Sequence, residues 1–127
     1  MVTVYISCRV HHTVNRKKSA TVPKLLVDTG SEHTWISGKT LEQLGIEREK
    51  KDVAFLMANG TQITRSVGFA IIYVEEYFTI DEVVLAEKGD MLLLGARTLE
   101  GLNLTVDSRR KKLVAAGPLP AAACHTT

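Results

Sequence analysis

Apolar positions in this chain fall into short runs, rich in β-branched residues and separated by clusters of charge, glycine and asparagine, a pattern that predicts strands and turns over most of its length. The opening MVTVYISCRV alternates in part and reads as a strand. HHTVNRKKSA is a polar turn and TVPKLLV resumes in β, so residues 1–27 form a hairpin that delivers Asp28. In GKTLEQLGI, Leu41 and Leu44 lie three apart, with Ser37 available as N-cap and Gly45 as the stop; a short helix of about two turns is expected.

DVAFLM is the next strand, ANGT a turn and QITRSVGFAIIYV a long strand. Residues 53–74 therefore form a β-hairpin with Asn59 and Gly60 at its tip, the pair favoured in two-residue turns. YFTIDEVVLAE is a further strand and KGD a turn. MLLLG runs apolar into a glycine, ARTLEGL has helical spacing, and NLTVDSRRKKLVAAG closes as a hairpin around a basic turn. The pattern predicts one all-β domain over residues 1–120 with two short helices, followed by a flexible tail at 121–127.

One junction in this pattern asks for an explanation. LLV at 25–27 leads straight into Asp28, and a carboxylate at the end of a buried strand is costly unless it is hydrogen-bonded or doing chemistry. Asp-Thr-Gly alone is a weak signal, and its context decides what it means.

Composition narrows the classes. A chain of 127 residues, 45% hydrophobic and 24% charged, fits a single globular domain. Its 16 basic and 14 acidic residues leave a net charge of +2, so no overall field points to a nucleic-acid or membrane partner. NRKK at 15–18 and RRKK at 109–112 sit beside turn formers and read as solvated loops. Cys8 and Cys124 lie near opposite ends with no CxxC spacing, too few thiols for a zinc site without histidines. No apolar stretch approaches the roughly 20 residues of a membrane span and no signal-peptide pattern precedes the fold, so a cytoplasmic location is expected.

In order along the chain come an apolar strand, DTGS, a short helix, a hairpin with a glycine tip, and LLLG leading into a helix. That arrangement resembles the retropepsin-like (retroviral-type) aspartic proteases, and is most like the small single-domain bacterial members with VDTG, LGI, ANG, LLG and a final VD. The resemblance spans about Val2 to Pro120. It implies a closed β-barrel with a flap hairpin, acting as a homodimer on a peptide or protein substrate, with no cofactor and no metal.

What the resemblance implies for single residues follows from the chemistry. A water is activated between two carboxylates that share one proton, one acting as base and the other as acid. Asp28 is the implied catalytic residue. Gly30 lets the main chain approach its carboxylate, Ser31 orients the loop by hydrogen bonding, and Thr29 bonds across to the partner's loop.

A dyad needs two such aspartates. Asp52, Asp81, Asp90 and Asp107 all lack the hydroxyl-plus-glycine pair; Asp107 is followed by Ser108, but then by Arg109. A C2 homodimer supplies the second Asp28.

Met57, Ala58, Asn59, Gly60 and Thr61 resemble the family's flap, a mobile turn that closes over substrate, and would otherwise be a plain type I′ turn. Leu93, Leu94 and Gly95 resemble the strand beneath the catalytic loop, the leucines walling the dyad and Gly95 allowing close packing; plain core packing is compatible with that role. Leu93, Met57 and Ile36 imply a preference for hydrophobic side chains on both sides of the cut.

The chain also departs from the pattern. Ala96 stands where retroviral members carry an arginine, and Arg97 is expected to reach Glu32 instead. His33 and Trp35, just downstream of the loop, read as structural or substrate-side residues, and His11 and His12 as solvent-exposed. Three functions remain: an active homodimeric aspartic endopeptidase, a catalytically silent dimerisation or peptide-binding module of the same fold, and a β-barrel unrelated to proteolysis that binds a small ligand or nucleic acid.

Overall fold

Nine strands and two helices form among the described residues, 3–121, of a computed structural model of the chain. Residues 1–2 and 122–127, the latter holding Cys124 and all but Ala121 of the expected tail, lie outside them. In chain order the elements are β1 (Tyr5–His11), β2 (Ser19–Val27), β3 (Thr34–Ser37), α1 (Gly38–Gln43), β4 (Lys50–Leu56), β5 (Gln62–Val74), β6 (Tyr77–Ala86), β7 (Leu93–Leu94), α2 (Ala96–Leu102), β8 (Leu104–Asp107) and β9 (Lys112–Ala115).

Seven strands make one sheet in the order β1-β2-β7-β3-β6-β5-β4, and an additional β1–β5 pairing closes it into a ring. Closure follows from the 13-residue length of β5. One of its edges pairs with β6 from Val67 to Val74, while the other pairs first with β4 (Gln62 to Val67) and then with β1 (Ile71 to Tyr73). A strand this long twists enough for its two halves to meet different neighbours. β8 and β9 form a separate two-stranded sheet.

Period-two alternation divides the apolar residues into two clusters. Ala70, Ile72 and Val74 of β5 and Val83 and Leu85 of β6 join Val10, Leu25, Ile36 and Leu94 in the interior, capped by Leu41 and Leu44 beside α1 and Leu99 and Leu102 of α2. Ile36 is only 1% exposed there, so it packs the core and does not face a substrate. Val67, Val84, Ala86, Trp35 and Leu93 form a second cluster, against which Val53, Phe55, Met57 and Ile63 of the β4–β5 hairpin are half-buried.

Several local expectations change. Ser37 occupies the N-cap position of α1 but makes no side-chain cap bond, whereas Gly45, at φ +80°, does follow the helix end as a stop. The TWIS strand, β3, is too short to show a period in sequence; its pairing with β6 and β7 defines it. Of MLLLG only Leu93 and Leu94 are extended in the sheet, and Met91 is 64% exposed. His11 and His12 are half-buried: His11 Nδ1 lies 2.7 Å from the Arg16 carbonyl, and His12 Nδ1 accepts the N–H groups of Val14 and Asn15. They organise the β1–β2 turn instead of dangling from it. The thiol of Cys8 is buried, which pushes it up to about 12. No helix among the described residues is long and apolar enough to cross a membrane.

Candidate active site

β2 ends where its sheet partner ends. The parallel pairing of Leu26 with Leu93 and Val27 with Leu94 brings the chain out beside β7, and the Asp28 N–H donates to the Leu94 carbonyl at 3.0 Å as the last rung. The chain then turns tightly: the Ser31 N–H donates to the Asp28 carbonyl at 3.2 Å. The Gly30 N–H donates to Asp28 Oδ1 at 2.9 Å and the Ser31 hydroxyl to Oδ2 at 3.1 Å, so each carboxylate oxygen has a donor from its own loop. A Cβ on Gly30 would lie 3.2 Å from Oδ1, tighter than ordinary contact.

Asp28, Gly30 and Ser31 line one end of a cavity of about 630 Å³ between this loop and the β4–β5 hairpin. Trp35, Phe55, Met57 and Leu93 form its apolar wall. Phe55 meets Trp35 edge-on at 5.1 Å and His33 at 5.5 Å, a tilted aromatic row that holds the hairpin against β3. A half-buried carboxylate facing an apolar trough of this volume suits an extended, largely hydrophobic chain segment.

Two charged groups brace the cavity. Arg65 on β5 grips Asp90, and the bond from Arg65, reinforced by its charge, holds the Asp90 carboxyl below the usual carboxylate range against the opposing effect of burial. Glu82 on β6 takes hydrogen bonds from Lys50 of β4 and His33, with Arg97 Nη1 at 3.3 Å from its Oε2. The Lys50 bond first, and His33 next, hold the Glu82 carboxyl below its ordinary range.

The structure thus brings together most of the residues singled out in sequence, but not all. Met57, Ala58 and Leu93 line the cavity with Asp28, Gly30 and Ser31; Asn59, Gly60 and Thr61 lie beyond it at the hairpin tip. That tip is a three-residue loop. Gly60 N–H donates to Met57 O, Met57 N–H to Thr61 O, and the positive φ falls on Gly60 (+86°) and not on Asn59. This is a type I turn with a bulge, in place of the expected two-residue Asn-Gly turn. Asn59 contributes its Oδ1 to the Thr61 N–H.

Leu94 is fully buried in the interior and does not wall Asp28; only its carbonyl serves the loop. Gly95 does permit close packing, since a Cβ there would lie 2.4 Å from the His33 carbonyl oxygen. Thr29 is exposed and borders a separate, shallower cavity of about 260 Å³ with Leu99 and Val106.

Arg97 corrects another expectation. Its backbone N–H reaches the Glu32 carbonyl, while its guanidinium turns to Glu82 and His33. Glu82, Lys50 and Arg65 carry no sequence signal, and Asp90 stands out in sequence only as an aspartate without the hydroxyl-plus-glycine pair. Lys50 lies 32 positions from Glu82, and Arg65 lies 25 from Asp90, so only the tertiary fold brings them together.

Residues 10–101, from the last two residues of β1 through all but the last residue of α2 and including Asp28 and the whole β4–β5 hairpin, match the family model described as gag-polyprotein putative aspartyl protease. Among curated proteins no match to the chain is found.

Proposed function

Because the chain belongs to the gag-polyprotein aspartyl protease family, we propose that it is an aspartic endopeptidase, active as a C2 homodimer with a water activated between two Asp28 carboxylates, one from each subunit. The observation that carries this reading is Asp28 itself, held by Gly30 and Ser31 at the end of an apolar cavity. One chain supplies one such loop, and the symmetric partner supplies the other.

The two carboxylates share one proton. The ionised one takes a proton from the water as it attacks the scissile carbonyl, and the protonated one donates to the carbonyl oxygen as it becomes tetrahedral; the proton then passes to the leaving amine. The Gly30 and Ser31 donors fix each carboxylate so that little reorganisation is needed as charge moves. Closure of the Met57–Thr61 tip over the cavity would exclude water and leave the apolar side chains of the substrate against Trp35, Phe55 and Leu93.

Cleavage of a mixed peptide library by the wild-type chain and by Asp28→Asn tests this. The amide is nearly isosteric but cannot share the proton, so turnover is expected to fall by about 10³-fold or more with fold and dimer retained. The wild-type rate is expected to fall on the alkaline side, as the pair loses its last proton. Peptide binding by both proteins without cleavage by either would make the chain a silent binding module of the same fold.

A further inference from the structure

We propose that Glu82 is a positioning residue for hydrolysis, pinning the loop after Asp28, the arm of the flap hairpin and the start of α2 to one point on β6. This rests on the reading of Asp28 given above. Glu82 lies on the outer face of the ring, its side chain only 14% exposed, where a lone carboxylate is costly. Its partners come from three different elements: Lys50 from β4, His33 from the loop between β2 and β3, and Arg97 from α2.

Donor counting orders the cluster. His33 Nε2 is 3.2 Å from Glu82 Oε2 and 3.3 Å from Arg97 Nη1. A guanidinium has no acceptor and Glu82 is ionised, so the stable arrangement sends both the Nε2–H and the Arg97 N–H to the Glu82 oxygen. Glu82 therefore selects the His33 tautomer and fixes the ring plane. That ring meets Phe55 edge-on, and Phe55 meets Trp35, so the carboxylate sets the cavity wall through a row of touching rings.

Among the described residues no other charged side chain bonds to Glu82. Phe69 stands opposite Glu82 on β5, and Asp81 next to it faces the other way, accepting from Thr98. Lys50 and Arg97 have no other anionic partner among the described residues. Deleting the Glu82 charge leaves the Lys50 and Arg97 cations unbalanced behind His33, which lines the cavity that holds Asp28, Glu32 and the Arg65-bound Asp90. Added positive charge favours the ionised form of the Asp28 pair, so the alkaline limb of activity moves toward acid.

The test compares wild type, Glu82→Gln and the double variant Lys50→Gln/Glu82→Gln, which restores the net charge without restoring the tether. Amide hydrogen exchange over residues 28–33 and 50–57 is expected to speed up about tenfold in both variants. The alkaline limb of kcat/KM is expected to move about half a pH unit toward acid in the single variant and to return in the double, while kcat/KM stays about tenfold down in both. A merely structural role would lower stability without that reversible shift.

Exchange in Glu82→Gln equal to wild type would overturn the proposal, even if cleavage still depended on Asp28. If the wild type cleaves nothing, the Asp28 reading fails and the exchange result still decides whether Glu82 pins the loop and hairpin. Should Glu82→Gln lose its fold by circular dichroism, Lys50→Gln removes one strut only; faster exchange at 50–57 alone is the supporting result, and no change the opposing one.

Discussion

Arg65 and Asp90 meet through two parallel hydrogen bonds, Nε to Oδ2 at 2.7 Å and Nη2 to Oδ1 at 2.8 Å, which tie the second strand of the β4–β5 hairpin to the loop entering β7. Both side chains are mostly buried, at 15% and 12% exposure. Arg65→Ala leaves a carboxylate enclosed without its partner and is expected to cost about 2–3 kcal/mol, or roughly 5–10 °C in Tm.

The same pair gives a pH dependence with a definite sign. The folded protein holds the Asp90 carboxyl below its ordinary range, with the Arg65 bond the leading cause, so the stabilisation is present above the unfolded-state value and is lost as pH falls through the folded one. Thermal unfolding on an acid series is expected to show the gap between wild type and Arg65→Ala closing as pH falls. A gap that stayed constant would mean that the pair stabilises by packing alone.

Buried hydroxyls form a relay from Gly95, next to β7, to β6. Gly95 N–H donates to Thr34 Oγ1, Thr34 lies 2.5 Å from Thr98 Oγ1, and Thr98 donates to Asp81 Oδ2. Since Thr98 has one proton and gives it to Asp81, Thr34 is the donor to Thr98. Thr98→Val keeps the shape but orphans both neighbours, an expected loss of about 2 kcal/mol in urea unfolding, while Thr98→Ser is expected to stay near wild type.

Gly60→Val separates backbone strain from crowding. Nothing lies within 4 Å of a Cβ at Gly60, so the penalty comes entirely from its φ of +86°. A β-branched residue resists that conformation by about 1–2 kcal/mol, and the tip is expected to rebuild. A large fall in kcat/KM with only a modest fall in Tm is the expected result; the reverse would make the hairpin tip a structural element only.

Thr29 is exposed in the single chain although it adjoins Asp28, as a residue at a two-fold contact would be. If its hydroxyl bonds to the partner's loop, Thr29→Ala loses about 1–3 kcal/mol per contact, twice over by symmetry. Sedimentation equilibrium and a dilution series of activity are expected to show a weaker dimer and a steeper loss of specific activity at low concentration, with Thr29→Ser milder. An unchanged dimer constant would remove Thr29 from the interface.

Local signals explain what was legible before folding. Alternation and turn residues located the β1–β2, β4–β5 and β8–β9 hairpins, and Asp28, Gly30 and Ser31 stood out because a hydrogen-bonded carboxylate loop is written in adjacent residues. The Asn59-Gly60 pair marked a turn correctly but not its type. Two-residue and three-residue loops differ by where the flanking strands come into register, and the pairing of Leu56 with Gln62 settles that.

Leu94, Ile36 and Arg97 show where sequence reading stopped. An apolar residue beside a catalytic loop can face the cavity or the core, and the parallel seating of β7 on β2 sent Leu93 outward and Leu94 inward. Arg97 found Glu82, 15 positions away, instead of Glu32, because α2 packs across β6. By itself the sequence located most of the strands and turns and the hydrogen-bonded Asp28–Gly30–Ser31 loop, since those depend on neighbours a few residues apart. Only the tertiary structure decided which charges meet around the cavity, because a one-residue change of register moves every side chain of a strand to the opposite face.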